Sequence, residues 1–451
     1  MNDKLFDAYP LFHITGRPGW INDPNGLVYF RGQYHVFYQY YPAATHWGPM
    51  HWGHVVSDDL KQWEQMPIAL APGGKGDRDG CFSGSAIVWQ DRIWLLYTGF
   101  TENGGGDAIR QVQCLASSAD GVRFEKHGVV IDENDLPADY SPSDFRDPKV
   151  WRSGDSFFCV VAARRVGGRG RVLLYRSEDL RTWHFVGDLF GVDSRGSMIE
   201  CPDYRSDLGL LMLCEQFQPQ EGHTHLNIHT NRYYLGILDE TSGSFRPTSE
   251  GICDYGFDFY APQTFADTPV MIGWMNMWDR NVPSADYGFA GMLTLPRRLE
   301  VRDGRLRQTP CLPETRIVRT ENGMGTLTDC AVTGVIEVRA RDLRHLTLRL
   351  RVKGEQSTIL SYRAGEWVFD RSHAGVAITG VEQDADSRAG IRRMPGEGDY
   401  VSLTVVMDRY SVEVFANGRA LTSTVYPDAD ADGIVFEADA AECTYTRAEL
   451  V

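Results

Sequence analysis

A short pattern recurs along the first half of this chain at a nearly constant interval. The pattern, Ser-x-Asp-(Leu/Gly)-x-x-(Trp/Phe), begins at Ser57, Ser118 and Ser177, so its copies are spaced 61 and 59 residues apart. A looser relative, "LDETSGSF", places Asp239 a further 60 residues beyond Asp179. A fixed interval of this kind predicts that each unit is one supersecondary structure, which buries its apolar face against the next unit.

The stretches between these copies are rich in strand signals. Aromatic and β-branched runs, broken by turn residues, occur in "LVYFRGQYHVFYQYY" (27–41), "AIVWQDRIWLLYTGF" (86–100) and "SFFCVVAARR" (156–165). Amphipathic helical patterns are hard to find in this part of the chain. A β unit of about 60 residues suggests a propeller blade, although it is longer than the roughly 40 to 50 residues of common blade repeats, and five units would occupy about 300 residues. The sequence therefore predicts an all-β chain that begins with a β-propeller.

The composition of the sequence changes after these five units. The run "PRRLEVRDGRLRQTPCLPETRIVRT" (296–320) is basic, punctuated by proline and poor in apolar residues, which predicts a linker over 301–325. Beyond it, "HLTLRLRVKG" and "YVSLTVVMDRYSVEVFANGRALTSTVYP" alternate apolar and polar residues, and Asn417-Gly418 marks a tight hairpin. We expect a propeller over 1–300 and an antiparallel β-sandwich over 326–451.

Composition and charge exclude several classes of partner. The net charge of −16 argues against nucleic acid or an anionic membrane, since both attract Lys and Arg. No stretch approaches the roughly 18 apolar residues of a membrane span. The aromatic content of 12%, with 11 Trp, suits neutral ligands such as sugars.

The cysteines and the first residues predict a cytoplasmic location. The chain has nine cysteines, an odd number, and no C-x-x-C pair, so neither a disulfide framework nor a zinc site is expected. The first ten residues, "MNDKLFDAYP", have neither the basic nor the apolar region of a signal peptide. Reduced thiols in the cytoplasm are the default for such a chain.

Three carboxylates stand out by their neighbours in the sequence. Asp23 lies in "GWINDPNG", Asp147 in "DFRDPKVW" and Glu200 in "SMIECPDY". Taken singly, each suits a turn, and Pro24 with Asn25-Gly26 predicts one directly after Asp23. However, the three acids fall in different repeat units near the start of apolar strands. The inner strands of a propeller converge on its axis, so we expect the three carboxylates to meet there.

A cluster of carboxylates has a definite chemical use. Like charges at close range cannot all ionise easily, so one group gains a raised pKa and can act as a general acid. Another, held ionised by an adjacent arginine such as Arg146, remains an acceptor. Glycoside hydrolysis needs this division, with one acid at the leaving oxygen and one carboxylate at the anomeric carbon.

The order of these motifs resembles glycoside hydrolase family 32, which includes invertases, sucrose-6-phosphate hydrolases, inulinases and levanases. The matching segments are "GWINDPNG" (19–26), "FSGS" (82–85), "FRDP" (145–148), "ECPD" (200–203), "DFYAPQ" (258–263) and "GWMN" (273–276), with "HWGPMHWGHVVSDDLKQW" (46–63) and "VEVFANG" (412–418) as further ones. The resemblance spans nearly the whole chain. It implies a five-bladed β-propeller followed by a β-sandwich, in agreement with the repeat.

The resemblance also implies roles for the three acids. Asp23 matches the family's nucleophile, Glu200 its acid/base, and Asp147, fixed by Arg146, the carboxylate that stabilises the transition state. The family retains anomeric configuration, so Asp23 would attack C2 of the fructosyl unit while Glu200 protonates the bridging oxygen. One position departs from the pattern: Ile21 stands where Met is more usual, a swap of similar volume.

Further positions match residues that line the family's fructose subsite. Amides and hydroxyls suit sugar hydroxyls, and indole faces suit the apolar faces of sugar rings. From the residues alone, Trp47 and Trp274 suit core packing equally well, and Ser83 suits a turn. The expected substrate-binding residues are Asn22, Gln39, Trp47, Phe82, Ser83, Arg146, Tyr260 and Trp274.

Three further patterns predict neither a metal site nor a phosphate site. His46, His51 and His54 could suggest a metal site, but their strand spacing puts His51 on the opposite face, so no metal is expected. The glycine-rich "GGRGR" (167–171) runs into a strand rather than a helix, which predicts a hairpin instead of a phosphate loop. "ENGGGD", which begins at Glu102, likewise predicts a loop. No cofactor is expected.

The sequence thus predicts an intracellular β-fructofuranosidase that acts on sucrose or sucrose 6-phosphate. The acidic net charge favours the neutral sugar, although a local basic pocket could overrule it. Two alternatives stay open: a fructosyltransferase that makes short fructo-oligosaccharides, and a non-catalytic sugar-binding protein. Either a monomer or a homodimer is compatible with the sequence.

Overall fold

The computed structural model of the protein describes residues 9–102, 109–191, 198–222, 224–323, 325–381 and 385–451. Regular structure in these residues is almost entirely strand, as predicted. A 3-10 helix, Pro283–Tyr287, and one turn of α-helix, Ala385–Arg388, are the exceptions, and neither is long or apolar enough to span a membrane. The loop predicted at "ENGGGD" lies largely outside the described residues.

The first two thirds of the chain form five antiparallel sheets, the blades. Blades 1 to 4 each take four consecutive strands. Blade 1 comprises β1 (Gly19–Phe30), β2 (Gln33–Tyr41), β3 (His51–Ser57) and β4 (Glu64–Gln65). Blade 2 comprises β5 (Gly80–Trp89), β6 (Arg92–Glu102), β7 (Ile109–Ser118) and β8 (Glu125–Ile131). Blade 3 comprises β9 (Tyr140–Ser153), β10 (Ser156–Arg165), β11 (Gly170–Ser177) and β12 (Trp183–Gly191). Blade 4 comprises β13 (Ile199–Arg205), β14 (Leu210–Gln216), β15 (His229–Asp239) and β16 (Ser244–Ile252).

Blade 5 also ties the ring of blades together. It comprises β17 (Tyr260–Thr264), β18 (Val270–Trp274), β20 (Arg297–Arg302) and β21 (Arg305–Pro310). The intervening β19 (Phe289–Ala290) leaves this blade and pairs in parallel with β1 of the first. The first strand of each blade contacts the first strand of the next, and β17 contacts β1, which closes the ring. These contacts confirm the five-bladed propeller and make the first strands its innermost ones.

The repeated sequence pattern marks the same turn in four blades. The Ser residues end β3, β7 and β11, and the looser fourth copy ends β15. In every copy, the Asp Oδ1 accepts hydrogen bonds of 2.8–3.3 Å from the backbone N–H groups two and three residues later, at Asp59, Asp120, Asp179 and Asp239. This is the Asx-turn chemistry that Asp favours, and here it leads from the third strand of a blade into the fourth.

An apolar core lies between each pair of neighbouring blades. Val28 and Phe37 of blade 1 pack with Ile93 and Leu95 of blade 2, and similar clusters join each later pair. A further cluster joins blade 5 to blade 1 and includes the fully buried Trp274. Because both faces of a blade are buried, the strand sequences read as nearly continuous apolar runs rather than alternating ones.

The last third of the chain forms two six-stranded sheets packed on one apolar core, the predicted sandwich. The first sheet has the order β22 (Thr315–Asn322), β33 (Glu442–Leu450), β24 (Gly334–Arg341), β29 (Tyr400–Asp408), β30 (Ser411–Ala416), β31 (Arg419–Thr424). The second has the order β23 (Gly325–Cys330), β32 (Gly433–Asp439), β25 (His345–Lys353), β26 (Gln356–Arg363), β27 (Glu366–His373), β28 (Ile391–Pro395). Asn417 and Gly418, both at positive φ, form the predicted hairpin turn between β30 and β31.

The segment 301–325, which the sequence analysis predicted to be a linker, contains strands of both parts of the chain. β21 completes blade 5 up to Pro310, and β22 enters the sandwich at Thr315, so only four residues join the sheets. The segment looks apolar-poor because β22 lies at the edge of its sheet, where most of its side chains are exposed. A division into domains at residues 300 and 326 remains a prediction.

Candidate active site

A cavity of about 360 Å³ opens at one end of the propeller axis. Its walls come from blades 1 to 4 and from the connections that leave β2 and β18. The lining residues are Asn22, Asp23, Gln39, Trp47, Phe82, Ser83, Phe100, Ile109, Gln111, Ser143, Asp144, Arg146, Asp147, Glu200 and Trp278. Asp23, Asp147 and Glu200, each from a different blade, all reach this one cavity, as the sequence predicted.

Each innermost strand carries a β-bulge at the level of the cavity. The regular pairing is interrupted around Asp23 in β1, Ser83 in β5, Asp147 in β9, Cys201 in β13 and Ala261 in β17. A bulge adds a residue to one strand and redirects its side chain, which is why bulges are common beside active sites. Of the bulged residues, Asp23, Ser83 and Asp147 line the cavity, whereas Cys201 and Ala261 are buried.

Proline explains why the strands bulge at these points. Pro24, Pro148, Pro202 and Pro262 directly follow the bulged residue in four of the five strands. Proline has no N–H for a strand ladder, so within sheets it is restricted to edges and bulges. The turn predicted after Asp23 is therefore wrong: Pro24 and Asn25 lie inside β1, and the Asn25 side chain accepts a hydrogen bond of 3.2 Å from the Gly84 N–H of blade 2.

Asp23 is buried at the base of the cavity between two hydrogen-bond donors. Its Oδ2 accepts a bond of 2.6 Å from the Ser83 hydroxyl, and its Oδ1 accepts one of 3.2 Å from the Asn22 amide. Burial, the largest effect, and the charge of Glu200 both raise the pKa of the Asp23 carboxyl, whereas the two hydrogen bonds lower it. The net result is a pKa above the ordinary value of Asp. The two donors orient the carboxylate and favour its ionised form.

Asp147 sits at a strained backbone position. Its φ of 65° lies in the left-handed region, and its N–H donates to Thr98 Oγ1 at 2.8 Å. The carboxylate accepts a bond of 2.9 Å from the Cys201 N–H. Burial raises the pKa of Asp147 to about 7; Arg146 lowers it, whereas Glu200 and Asp23 raise it further. A backbone of this kind persists only where its surroundings hold it, and such positions cluster at functional sites.

Glu200 faces Arg146 and Tyr260. Its Oε1 accepts a bond of 2.9 Å from Arg146, and its Oε2 accepts one of 2.5 Å from the Tyr260 hydroxyl. Burial raises the pKa of Glu200, but Arg146, His229 and Tyr260 lower it more, so the pKa lies below its ordinary value. Arg146 lies near both acids: its guanidinium is 3.9 Å from Asp147, with which the sequence analysis paired it, and 2.9 Å from Glu200, because the bulge turns the two neighbouring side chains apart.

The raised pKa of Asp147 makes a prediction about stability. An ordinary Asp ionises near pH 3.8, whereas Asp147 holds its proton to about pH 7, so the folded state loses stability as the pH rises between these values. Asp147→Asn is neutral throughout, and its amide oxygen can still accept from Cys201. We expect thermal unfolding to show a gain in Tm of a few degrees at pH 8 that shrinks toward pH 4. An equal gain at both pH values would contradict the assignment.

Most of the predicted binding residues line the cavity. Asn22, Gln39, Trp47, Phe82, Ser83 and Arg146 all do so. Tyr260 does not: it lies behind Glu200 and is almost completely buried. Trp274 does not either, because it is fully buried between blades and packs against Trp20 and Trp278.

Trp278, four residues further along the chain, takes the place expected for Trp274. It lies in the connection after β18 and stacks on Trp20 with ring centroids 6.0 Å apart. The sequence analysis also missed Phe100, Ile109, Gln111, Ser143 and Asp144. Asp144 had a usable signal, because it lies two residues before Arg146 in the motif that was singled out. Phe100 stacks on Phe82 at 4.4 Å, a contact between paired strands that no local pattern encodes.

Comparisons with known proteins agree with this geometry. The family model described as "Glycosyl hydrolases family 32 N-terminal domain" matches residues 13–310, and "Glycosyl hydrolases family 32 C terminal" matches 305–450. The chain is 37% identical to a sucrose-6-phosphate hydrolase of Zymomonas mobilis, over 94% of this chain and 88% of the relative. It is 39% identical to a raffinose invertase of Escherichia coli, over 94% and 90%. A Bombyx mori β-fructofuranosidase structure superposes with a TM-score of 0.84 at 30% identity, over 100% of this chain and 97% of that one.

Proposed function

This chain belongs to family 32 of the glycosyl hydrolases, and from that premise we propose how its cavity works. The protein is a β-fructofuranosidase that hydrolyses the fructosyl bond of sucrose. The observation that carries the proposed mechanism is that the buried Asp23 and Asp147 and the partly exposed Glu200, from three blades, meet in one cavity, each with different hydrogen-bond donors. Two carboxylates with separate roles are what glycoside hydrolysis requires.

Asp23 is the nucleophile in this mechanism. Hydrogen bonds from Ser83 and Asn22 favour its ionised form and fix the oxygen that attacks C2 of the fructosyl unit. The bond from C2 to the bridging oxygen breaks as that oxygen takes a proton from Glu200. Water then gives its proton to Glu200 and attacks C2, which frees Asp23 and releases fructose with its configuration retained.

The mechanism requires a proton on Glu200 when the substrate is bound. In the free protein, burial favours the proton on Asp147, whereas Arg146 and Tyr260 keep Glu200 ionised. Fructosyl hydroxyl groups that donate to Asp147 would lower its pKa, and an ether oxygen placed against Glu200 would favour the protonated acid there. Substrate binding would therefore transfer the proton from Asp147 to Glu200. Asp147, once ionised, stabilises the positive charge that develops on the sugar ring.

The charges at the cavity favour sucrose over its 6-phosphate. Arg146 is the one cationic side chain among the described residues that line the cavity, and it is bound to Glu200 at 2.9 Å and to Asp144 at 3.3 Å. Asp144 also binds Arg164, through a contact of 2.5 Å. A phosphate group at this cavity would meet the negative charge of Asp144, and Arg146 and Arg164 are already paired with carboxylates. We propose that the preferred substrate is the unphosphorylated sugar.

A comparison of substrates tests this proposal. We expect kcat/KM for sucrose to exceed the value for sucrose 6-phosphate, and inulin to be poorer still. Raffinose, in which the fructosyl linkage is unchanged, should be cleaved as well. A higher kcat/KM for sucrose 6-phosphate would refute the preference, and failure to release glucose from sucrose at any concentration would refute the enzyme assignment itself.

Asp144→Asn should change this preference. The substitution removes the negative charge that Arg146 and Arg164 now face, so an anionic substrate should gain relative to a neutral one. We expect the ratio of kcat/KM for sucrose 6-phosphate to that for sucrose to rise by about tenfold. The matched control is Asp91→Asn, which removes a surface ion pair with Arg31 outside the cavity and should leave the ratio unchanged. Equal ratios in both variants would contradict the role of Asp144.

We also propose that the enzyme works in the cytoplasm. All nine cysteines lie in the described part of the chain and are free thiols. One of them, Cys330, is exposed on the sandwich. An exposed thiol is compatible with a reducing compartment and a liability in an oxidising one. Fractionation of cells that make the protein would test this location, with activity expected in the cytoplasmic fraction.

A further inference from the structure

The segment that leads into blade 5 is held by the C-terminal sandwich. Residues 254–258, called here the connector, run along β31, the edge strand of the first sandwich sheet. The Tyr255 N–H donates to the Ala420 carbonyl at 2.9 Å, and the Asp258 N–H donates to the Thr422 carbonyl at 3.2 Å. The propeller thus supplies the hydrogen-bond partners that the edge strand would otherwise lack.

Two carboxylates of the connector complete this pairing. Asp254 accepts bonds of 2.9 and 2.7 Å from the N–H and hydroxyl of Thr422, and Asp258 accepts bonds of 2.8 and 2.9 Å from the same groups of Thr424. Between them, a Cβ on Gly256 would lie 1.9 Å from the Thr422 carbonyl oxygen, so only glycine fits. The fit is therefore specified by residues on both sides.

The sandwich also binds the connector from within its core. Phe257 is fully buried in the apolar cluster of the sandwich, with the Arg371 and Arg392 guanidinium carbons 3.7 and 4.0 Å from its ring centroid. Arg371 in addition donates to Asp258 at 2.7 Å, opposite a bond of 2.8 Å from Arg280. Burial raises the pKa of Asp258, but the two arginines lower it more, so this buried carboxylate stays ionised.

The connector ends two residues before a side chain of the active site. β17 begins at Tyr260, whose hydroxyl donates to Glu200 at 2.5 Å. The carbonyl of Phe259, between them, accepts a bond of 2.6 Å from Asn231. A short backbone segment, held by hydrogen bonds at several positions, thus connects Arg371 of the sandwich to the hydroxyl that faces Glu200.

We propose that Arg371 and the edge strand β31 are positioning residues for the hydrogen bond from Tyr260 to Glu200, which makes the sandwich a working part of the active site. This inference rests on the proposed role of Glu200 as the acid/base. Six titratable or charged groups on neighbouring strands face or lie near Glu200: Arg146 and Asp147 from β9, Asp23 from β1, Cys214 from β14, His229 from β15 and Tyr260 from β17. Of these, Tyr260 is the group whose strand the sandwich holds directly.

The pH dependence of kcat for sucrose tests the proposal, because kcat reports the substrate complex, in which the proposed mechanism places the proton on Glu200. The Tyr260 hydrogen bond stabilises the ionised form of Glu200, so its loss should let Glu200 keep its proton to higher pH. We expect Tyr260→Phe to move the alkaline limb of the profile upward by about one pH unit. Arg371→Met should move it in the same direction by a smaller amount, and Arg371→Lys, which keeps the charge, should restore the profile of the parent.

The double variant decides whether Arg371 acts through Tyr260. In the Tyr260→Phe background, Arg371→Met should cause no further shift, because the hydrogen bond that it positions is already absent. A shift of the same size in both backgrounds would overturn the proposal. The matched control is Arg447→Met, which removes ion pairs to Asp329 and Glu449 within the sandwich and should leave the alkaline limb in place.

The remaining outcomes are also informative. If Arg371→Met does not fold, Thr424→Val removes only the hydroxyl that donates to Asp258 and should give a smaller upward shift. A folded Arg371→Met or Thr424→Val enzyme with the parent's alkaline limb would refute the positioning role, provided that Tyr260→Phe shifts it. If Tyr260→Phe itself leaves the limb unchanged, the assignment of Glu200 is refuted instead.

Discussion

Asp23→Ala should lower kcat for sucrose by at least about 10⁴-fold, the largest effect expected for a single substitution in this protein. The variant has no carboxylate to attack C2, so no covalent fructosyl intermediate can form. Ser83 and Asn22, which now donate to Asp23, would be left facing a small void that water can fill. Initial rates of glucose release at saturating sucrose measure the loss.

The fold should survive this change. Asp23 carries a raised pKa, so its burial as a charged group costs stability in the parent, and its removal should leave Tm equal or higher. Thermal unfolding of the variant distinguishes lost chemistry from lost structure. Near-normal turnover in a folded Asp23→Ala enzyme would eliminate the nucleophile assignment, whatever the effect of other substitutions.

Glu200→Ala should lower kcat for sucrose by about 10²–10⁴-fold, because the bridging oxygen then leaves without a proton. The loss should depend on the leaving group. With 4-nitrophenyl β-fructofuranoside, whose phenolate leaves unaided, formation of the fructosyl enzyme should be nearly normal and its hydrolysis slow. A burst of nitrophenol followed by a slow steady state would show this, and azide should accelerate the slow step by replacing the activated water.

A nearby carboxylate provides the control for Glu200. Glu215 on β14 lies beside the Glu200 strand, is fully buried and accepts a hydrogen bond from Tyr234, but does not line the cavity. Glu215→Gln should therefore retain kcat within a few-fold, which would exclude a general effect of removing buried charge in blade 4. The same loss with sucrose and the nitrophenyl substrate in Glu200→Ala would contradict the acid/base role.

The repeat and the three acids could be predicted because their signals are local. The Asp side chain of each repeated pattern accepts hydrogen bonds from backbone N–H groups only two and three residues away. A few consecutive residues therefore specify each turn. Asp23 and Asp147 are the first residues of Asp-Pro pairs, and Glu200 directly precedes a Cys-Pro pair. The repeat alone predicted that the three acids lie in different blades. Convergence on the axis then followed from the propeller.

What could not be predicted depends on contacts between blades or between strands. Arg146 follows Phe145 and precedes Asp147, yet it bonds to Glu200 of another blade, since a bulge decides where each side chain points. The sequence does not distinguish Trp274 from Trp278 as a candidate binding residue. Only the packing of blade 5 on blade 1 buries Trp274 and leaves Trp278 at the cavity. The regular recurrence of proline after the bulged residues is the one such signal that the sequence did contain.

The short strand β19 has a consequence for how the enzyme is made. It pairs Phe289 with Gly19 and Ala290 with Trp20, three residues before Asp23, so the site is enclosed by contacts between positions 270 apart. Contacts this distant in sequence form late, because a long loop must close before they contribute. A nascent chain that has emerged only through blade 4 already holds all three acids, but not the strand that completes their enclosure. We therefore expect catalytic competence to appear only after residue 290 has been synthesised, rather than gradually with each blade.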